Sequence, residues 1–233
     1  MVSKYFLIVF VFITSFCLCK VEAQDHDRDR VEALIESSRN TREDSSRSFA
    51  FAHNAIELAR TLGESNTLGR ALYNMGDLLE DYDNYSSAIS YFDLTIEAYR
   101  SAEEFEEIPR ILRIIGRMYY SFGDYTKAMD MYMEGLMMYQ QLDLVDTDKG
   151  WLLRYIGSVY KRQENYEEAL DYYGQALDVF EQFEHNDGIA SSINNIGIVY
   201  GYQGKDSLQI QHYRRALKIC EENKSIVRAS IIL

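Results

Sequence analysis

The sequence predicts an all-α chain built as an array of antiparallel helix pairs. Three observations predict it. Glycines at 76, 116, 157 and 197 are spaced 40, 41 and 40 residues apart. With the glycine itself, a register of residue types recurs at six positions, five of them at fixed offsets from it, which is the signature of a repeat architecture. Within Trp151–Phe183 the apolar residues follow helical spacing: Leu152, Ile156, Val159 and Tyr160, then Tyr166, Ala169, Tyr173, Ala176 and Phe180. A short polar break, Gln163-Glu164-Asn165, separates the two patterns. A glycine inside a helix costs roughly 1 kcal/mol against alanine. Gly157 therefore needs a packing reason, and a close approach of the two helices, with Ala169 opposite, would supply it.

Residues 1–23 read as a secretory signal peptide. Lys4 gives the positive start, Tyr5 to Cys19 is a nearly unbroken apolar run, and Val21-Glu22-Ala23 fits the small-x-small cleavage pattern. The run is short for a spanning helix of about 20 residues, so an uncleaved signal anchor is the lesser alternative. Phe16 before Cys17 and Leu18 before Cys19 argue against a bacterial lipoprotein. Cleavage would leave Gln24 first and Cys220 as the one remaining cysteine, so no internal disulfide is expected. Beside Leu217, Cys220 reads as a buried core thiol. The compartment expected is secreted or periplasmic.

Residues 24–66 read as a degenerate first helix pair. Asp25–Arg30 looks like a solvated lead-in. Val31, Leu34 and Ile35 make a weak stripe, and Asn40–Arg47 is a polar break. Phe51, Ala55, Leu58, Ala59 and Leu62 mark a second helix that Gly63 should stop.

Residues 67–224 read as four repeats. Three residues after each key glycine come Leu79, Tyr119, Tyr160 and Tyr200. Nine after come Tyr85, Tyr125, Tyr166 and Asp206, where the second helix opens. Twelve after come Ala88, Ala128, Ala169 and Gln209; sixteen after, Phe92, Tyr132, Tyr173 and Tyr213; nineteen after, Thr95, Gly135, Ala176 and Ala216. Asp124 and Asn165 are placed as N-caps. Pro109 stands where a helix should begin, and Ser101–Glu107 reads as an inter-repeat turn. Residues 225–233 carry the pattern of the start of a further helix, so the array is expected to continue or to be truncated there.

On these motifs the chain resembles the tetratricopeptide repeat family. LYNMGDLL…YSSAISYFDLTI, LRIIGRMYY…YTKAMDMYMEGL, LRYIGSVY…YEEALDYYGQAL and INNIGIVY…HYRRALKI carry the likeness. The period of about 40 exceeds the usual 34, as in arrays of exported bacterial signalling proteins. The resemblance implies a right-handed superhelical solenoid, a groove lined by the first helix of each pair, and a protein or peptide partner. An exported scaffold, or the sensory part of a signalling protein, follows by analogy. A free periplasmic assembly scaffold is the alternative, and a small-molecule receptor or enzyme ranks behind both.

The chain has 24 basic and 37 acidic residues and a net charge of −13. That excludes generic binding of nucleic acid by this segment, which needs a basic surface. Membrane association would come only through a signal anchor or a missing C-terminal span. Catalysis, a metal and a cofactor are not expected. His26, His53, His185 and His212 have no partner at metal-binding spacing. There is no phosphate-binding glycine loop, and Ser48, Ser121 and Ser158 lie in no nucleophile elbow.

The groove implied by the resemblance falls at offsets −6, −3, +1, +4 and +5 from each glycine. Seven of those twenty positions are basic and three are acidic, against the grain of an acidic chain. Arg110, Arg113 and Arg117 share one helical face. Arg154, Lys161 and Arg162 follow in the next repeat, with Tyr120, Trp151 and Asn194 alongside. Arginine forks grip carboxylates and tryptophan is a flat anchor. These nine residues are the candidate site for an acidic or C-terminal peptide segment. The set departs from the lysine and asparagine carboxylate clamp of the family. The competing reading pairs the arginines with neighbouring acids such as Asp124, Glu134 or Asp77.

Overall fold

The structure is a computed structural model that describes residues 24–223. The expected signal peptide, 1–23, and the further helix expected at 225–233 lie outside the described residues. The chain divides into two compact units, Met1–Phe105 and Glu106–Leu233. Among the described residues both are entirely helical, with no strand.

The first unit holds α1 (residues 24–40), α2 (Ser45–Leu62), α3 (Ser65–Asp81) and α4 (Tyr85–Ser101). Residues 25–30 are already helical, so they are the first turns of α1 and not a lead-in. Their helicity is supported by Arg28, which bridges to Glu64 at 2.6 Å and to Asp25 at 3.1 Å. The weak stripe is a real interface: Val31 and Ile35 are buried against a face whose Ala52, Ala55, Ile56 and Ala59 are also buried. The hydroxyl of Ser38 donates across to the Ser48 carbonyl at 3.0 Å. Gly63 ends α2 in the left-handed conformation, at φ 70°.

A 3-10 turn, Phe105–Glu107, carries the chain into the second unit and leads into α5 (Ile108–Ser121). Pro109 lies in the first turn of α5, where its missing N–H breaks no bond. Then follow α6 (Tyr125–Gln141), α7 (Thr147–Arg162), α8 (Tyr166–Gln182), α9 (Asn186–Tyr202) and α10 (Asp206–Glu222). Each of α4, α6, α8 and α10 starts nine residues after its key glycine. Asp124 caps α6 by accepting from the Lys127 N–H at 3.1 Å. Asn165 stands at the N-cap of α8 but makes no side-chain cap bond; the acids Glu167 and Glu168 in its first turn serve that end instead.

All four key glycines lie inside helices, and the reason is more specific than a close approach of two backbones. A methyl group added at Gly76 would sit 2.9 Å from the Phe92 ring; at Gly157, 2.9 Å from Tyr173; at Gly197, 2.8 Å from Tyr213. At Gly116 it would overlap the Tyr132 ring. The aromatic residue at offset +16 occupies the missing side chain's space. At Gly157 the backbone is near as well, with the Ala169 carbonyl 3.2 Å from that position. Phe92, Tyr132 and Tyr173 are fully buried, as are the alanines Ala88, Ala128 and Ala169 that flank them.

The turn inside each pair is also repeated. Asp83, Gly123, Glu164 and Gly204, each at offset +7, take positive φ between 57° and 80°. The following residue's N–H returns to the carbonyl at offset +3: Asn84 to Leu79 at 2.8 Å, Asp124 to Tyr119 at 3.0 Å, Asn165 to Tyr160 at 3.0 Å and Lys205 to Tyr200 at 2.8 Å. This 6→1 bond is a Schellman closure.

Gly157→Ala should lower stability by about 1–3 kcal/mol, because a buried ring cannot yield and overpacking outweighs the gain in helix propensity. Gly174 lies in α8 with open space at its Cα, so Gly174→Ala should raise stability by up to about 1 kcal/mol. Denaturant unfolding followed by circular dichroism checks both, and the opposite signs are the prediction.

Candidate functional site

Helices α5, α7 and α9 are the first members of their pairs in the second unit, and neighbours among them touch. The groove offsets fall on one face. Arg113, Arg154 and Asn194, all at offset −3, are half-buried, as are Arg117, Tyr120 and Lys161. Arg110 and Arg162, at the two ends, are exposed.

The nine candidate residues separate into two environments. At the N-terminal end of α5 the arginines face a carboxylate, although Arg113 Nε is buried with no hydrogen-bond partner among the described residues. Arg113 Nη2 lies 2.5 Å from Asp148 Oδ1, and Arg110 Nε lies 3.8 Å from Asp148 Oδ2. Asp148 lies in the first turn of α7, where the helix dipole also favours a carboxylate. Of the acids foreseen as partners, Asp77 pairs with Arg42 in the first unit, and Asp124 pairs with Lys127 at 3.3 Å. Asp148 was missed because it lies outside the offsets assigned to the groove. Its signal was a pair of acids, Asp146 and Asp148, at a helix start.

Trp151 is not a free anchor. Its ring meets Phe180 edge-on at 4.9 Å and His185 at 5.6 Å, and the Arg154 guanidinium lies over it at 5.0 Å. The imidazole of His185 is fixed in turn, because Nδ1 accepts the Gly188 N–H at 2.9 Å and caps α9.

Along α7 the picture is different. Arg154, Ser158, Lys161 and Arg162 are spaced 4, 3 and 1, which places them along one helical face. The Arg154 guanidinium lies over Tyr155 at 4.6 Å as well as over Trp151. Its Nε is buried with no hydrogen-bond partner among the described residues. Lys161 is half-buried, and its ammonium is pushed below the ordinary lysine value by burial first, then by the charges of Arg162 and Arg154. Arg162 donates from Nε to the Tyr120 hydroxyl at 3.2 Å, which raises its pKa. Among the described residues no carboxylate forms an ion pair with these three cations.

Tyrosine hydroxyls reach the same place, and sequence reasoning missed them as site residues. The rings of Tyr132 and Tyr173 pass beneath Gly116 and Gly157, which brings their buried hydroxyls near Arg117, Arg154 and Ser158. The Tyr173 hydroxyl and Ser158 Oγ are 3.1 Å apart. Burial pushes the Tyr173 phenol up to about 12. Tyr132 stacks on Tyr155 at 5.6 Å, and its hydroxyl is buried with no partner among the described residues. Burial raises its pKa as well, against the lowering pull of Arg117 and Arg154. The signal lay in the repeat register, where offset +16 is phenylalanine once and tyrosine three times.

Comparison with known proteins agrees with this architecture. Residues 148–222 match the tetratricopeptide repeat family. Residues 148–222 are tetratricopeptide repeats. They form α7 to α10, and the tetratricopeptide register of glycine, alanine and aromatic residues extends to the pairs before them. Over 87 residues the chain is 28% identical to the response regulator aspartate phosphatase A of Bacillus subtilis, which is 37% of this chain and 23% of that protein. The aspartyl phosphate phosphatase F of Bacillus subtilis superposes with a TM-score of 0.77 at 13% identity, covering 93% of this chain and 57% of that one. A signal transduction ATPase with a tetratricopeptide repeat sensor, from Pyrococcus horikoshii, gives 0.70 at 15% identity, covering 87% and 31%. These likenesses establish the fold: an all-α tetratricopeptide-type solenoid. Among the described residues no group of His, Cys, Asp and Glu is arranged to hold a metal ion, and no helix is long and apolar enough to cross a membrane.

The buried phenols make stability depend on alkaline pH. A tyrosine in the unfolded chain ionises near its ordinary value of 10.0, whereas Tyr173 in the fold resists until about 12. Its contribution is therefore complete below pH 10 and is lost as pH rises toward 12. Tyr173→Phe should flatten the fall in stability across that window by up to about 1.4 kcal/mol per pH unit. Denaturant melts at stepped pH measure the slope.

Proposed function

We propose that this protein is an exported tetratricopeptide scaffold that holds an acidic protein or peptide segment against the inner face of its second unit. The observation that carries the reading is the run of cations along α7. Among the described residues Arg154, Lys161 and Arg162 have no carboxylate partner, in a chain whose net charge is −13. An acidic protein that keeps a cationic strip uncompensated sustains a repulsion that an anionic partner would relieve. Arg110 and Arg113 serve a different end, since both face Asp148 across the seam between α5 and α7. No chemistry by the scaffold itself is part of this reading.

The apolar run of Tyr5 to Cys19 and the Val21-Glu22-Ala23 sequence support export to a secreted or periplasmic location. A sensory role within a signalling protein is the finer reading. It draws support from the Pyrococcus horikoshii protein, whose tetratricopeptide repeat sensor accompanies an ATPase.

Binding of acidic peptides to the purified protein, measured by titration calorimetry, tests the groove. Lys161→Glu together with Arg162→Glu should weaken binding at least about tenfold, and raised salt should weaken it further. Equal affinity in the wild type and the variant would overturn the reading. For export, mass spectrometry of the protein from its native host should find Gln24 as the first residue, in a fraction outside the cytoplasm. A chain retained inside with its first 23 residues intact would remove that part.

A further inference from the structure

The unanswered groups along α7 are hydrogen-bond donors, and this narrows the chemistry of what they bind. Arg154 Nε can only donate, and it is buried without an acceptor. The Tyr132 side chain is fully buried, and its hydroxyl also lacks a partner. Tyr132 stacks on Tyr155, and Tyr155 carries the Arg154 guanidinium on its ring, so the two donors belong to one contiguous cluster. Lys161 and Arg162 lie two turns along the same helix. A buried donor without an acceptor costs roughly 1–3 kcal/mol, and here the cost is compounded by three like charges on one helical face.

We propose that Arg154, Lys161 and Arg162, backed by the buried Tyr132, form a seat for a dianionic phosphoryl group. Three uncompensated cations match a dianion better than a single carboxylate. A phosphoryl group offers three acceptor oxygens, one for each of the three cations. A planar carboxylate has two oxygens and satisfies one arginine fork, which leaves the other donors unmet. The Arg162–Tyr120 bond at 3.2 Å and the Ser158–Tyr173 contact at 3.1 Å hold the flanks of the seat before any ligand arrives. The inference deepens the acidic-partner reading by naming the group that this stretch of the groove would take.

The test uses the full chain and its single tryptophan. Trp151 lies against Arg154, so its fluorescence reports on the seat. Inorganic phosphate and acetate are titrated at constant ionic strength, with calorimetry in parallel. Phosphate should saturate and bind at least about tenfold more tightly than acetate near pH 7.5. It should weaken near pH 5.5, where the phosphate dianion takes up a proton and loses its second charge. Lys161→Met and Arg162→Met should each weaken phosphate about five- to tenfold or more. Arg215→Met, whose arginine pairs with Glu181 at 3.0 Å, should change nothing. Thermal melts of each variant establish that it is folded, and Lys161→Gln stands in if Lys161→Met is not. A peptide carrying phosphoserine distinguishes the sources: tighter binding than free phosphate, competed by it, marks a phosphorylated partner, and no gain marks the free ion. Equal binding of phosphate and acetate, or full binding by both variants, overturns the seat. If acidic peptides still bind and phosphate does not displace them, the seat falls while the groove stands.

Discussion

The structure depends on one contact made four times: an aromatic ring lodged where a helix carries no side chain. Gly76 admits Phe92, Gly116 admits Tyr132, Gly157 admits Tyr173 and Gly197 admits Tyr213. The glycine costs about 1 kcal/mol of helix propensity. Burial of a whole aromatic side chain returns roughly 1.5–3 kcal/mol, and the ring fixes the pair's register as well. The left-handed turn at offset +7 and the alanine at +12 follow from that register, because they set the length and the closeness of the hairpin. Each pair still has an apolar face to cover, and the neighbouring pair in its unit covers it.

That contact also delivers chemistry. A phenylalanine at offset +16 ends in a hydrocarbon edge, whereas a tyrosine ends in a hydroxyl on the far side of the glycine helix. The repeats of the second unit all use tyrosine. In the third repeat the hydroxyl meets Ser158, and in the fourth the Tyr213 hydroxyl accepts from Gln209 at 3.1 Å. In the second repeat it meets no acceptor, beside the guanidinium of Arg154. A core-packing rule thus lines an inner face with donors.

Charge divides the inner-face positions into two kinds. In the first unit Asp77 and Asp81 occupy the inner offsets, and Arg42 answers both. At the head of α5, Arg110 and Arg113 are answered by Asp148. Farther along α7 Arg154 meets aromatic faces and Arg162 a phenol hydroxyl. Cation–aromatic contact leaves the net charge in place, so this stretch remains electropositive within an acidic protein.

The sequence by itself determined the helices, their pairing and the turn positions, because each depends on spacing along one chain. Asp124, Pro109 and Gly63 were legible as helix ends for the same local reason. So was the cationic face, since offsets from a glycine place residues on a helix surface. The tertiary structure decided which cations were already neutralised. Asp148 reaches Arg113 from 35 residues away, and nothing in either local pattern specifies that distance. It also decided that Trp151 packs in one cluster with Phe180 and His185, and that buried tyrosine hydroxyls join the site. Periodicity reports which way a side chain leaves its helix; what it meets there depends on how one helix packs against the next.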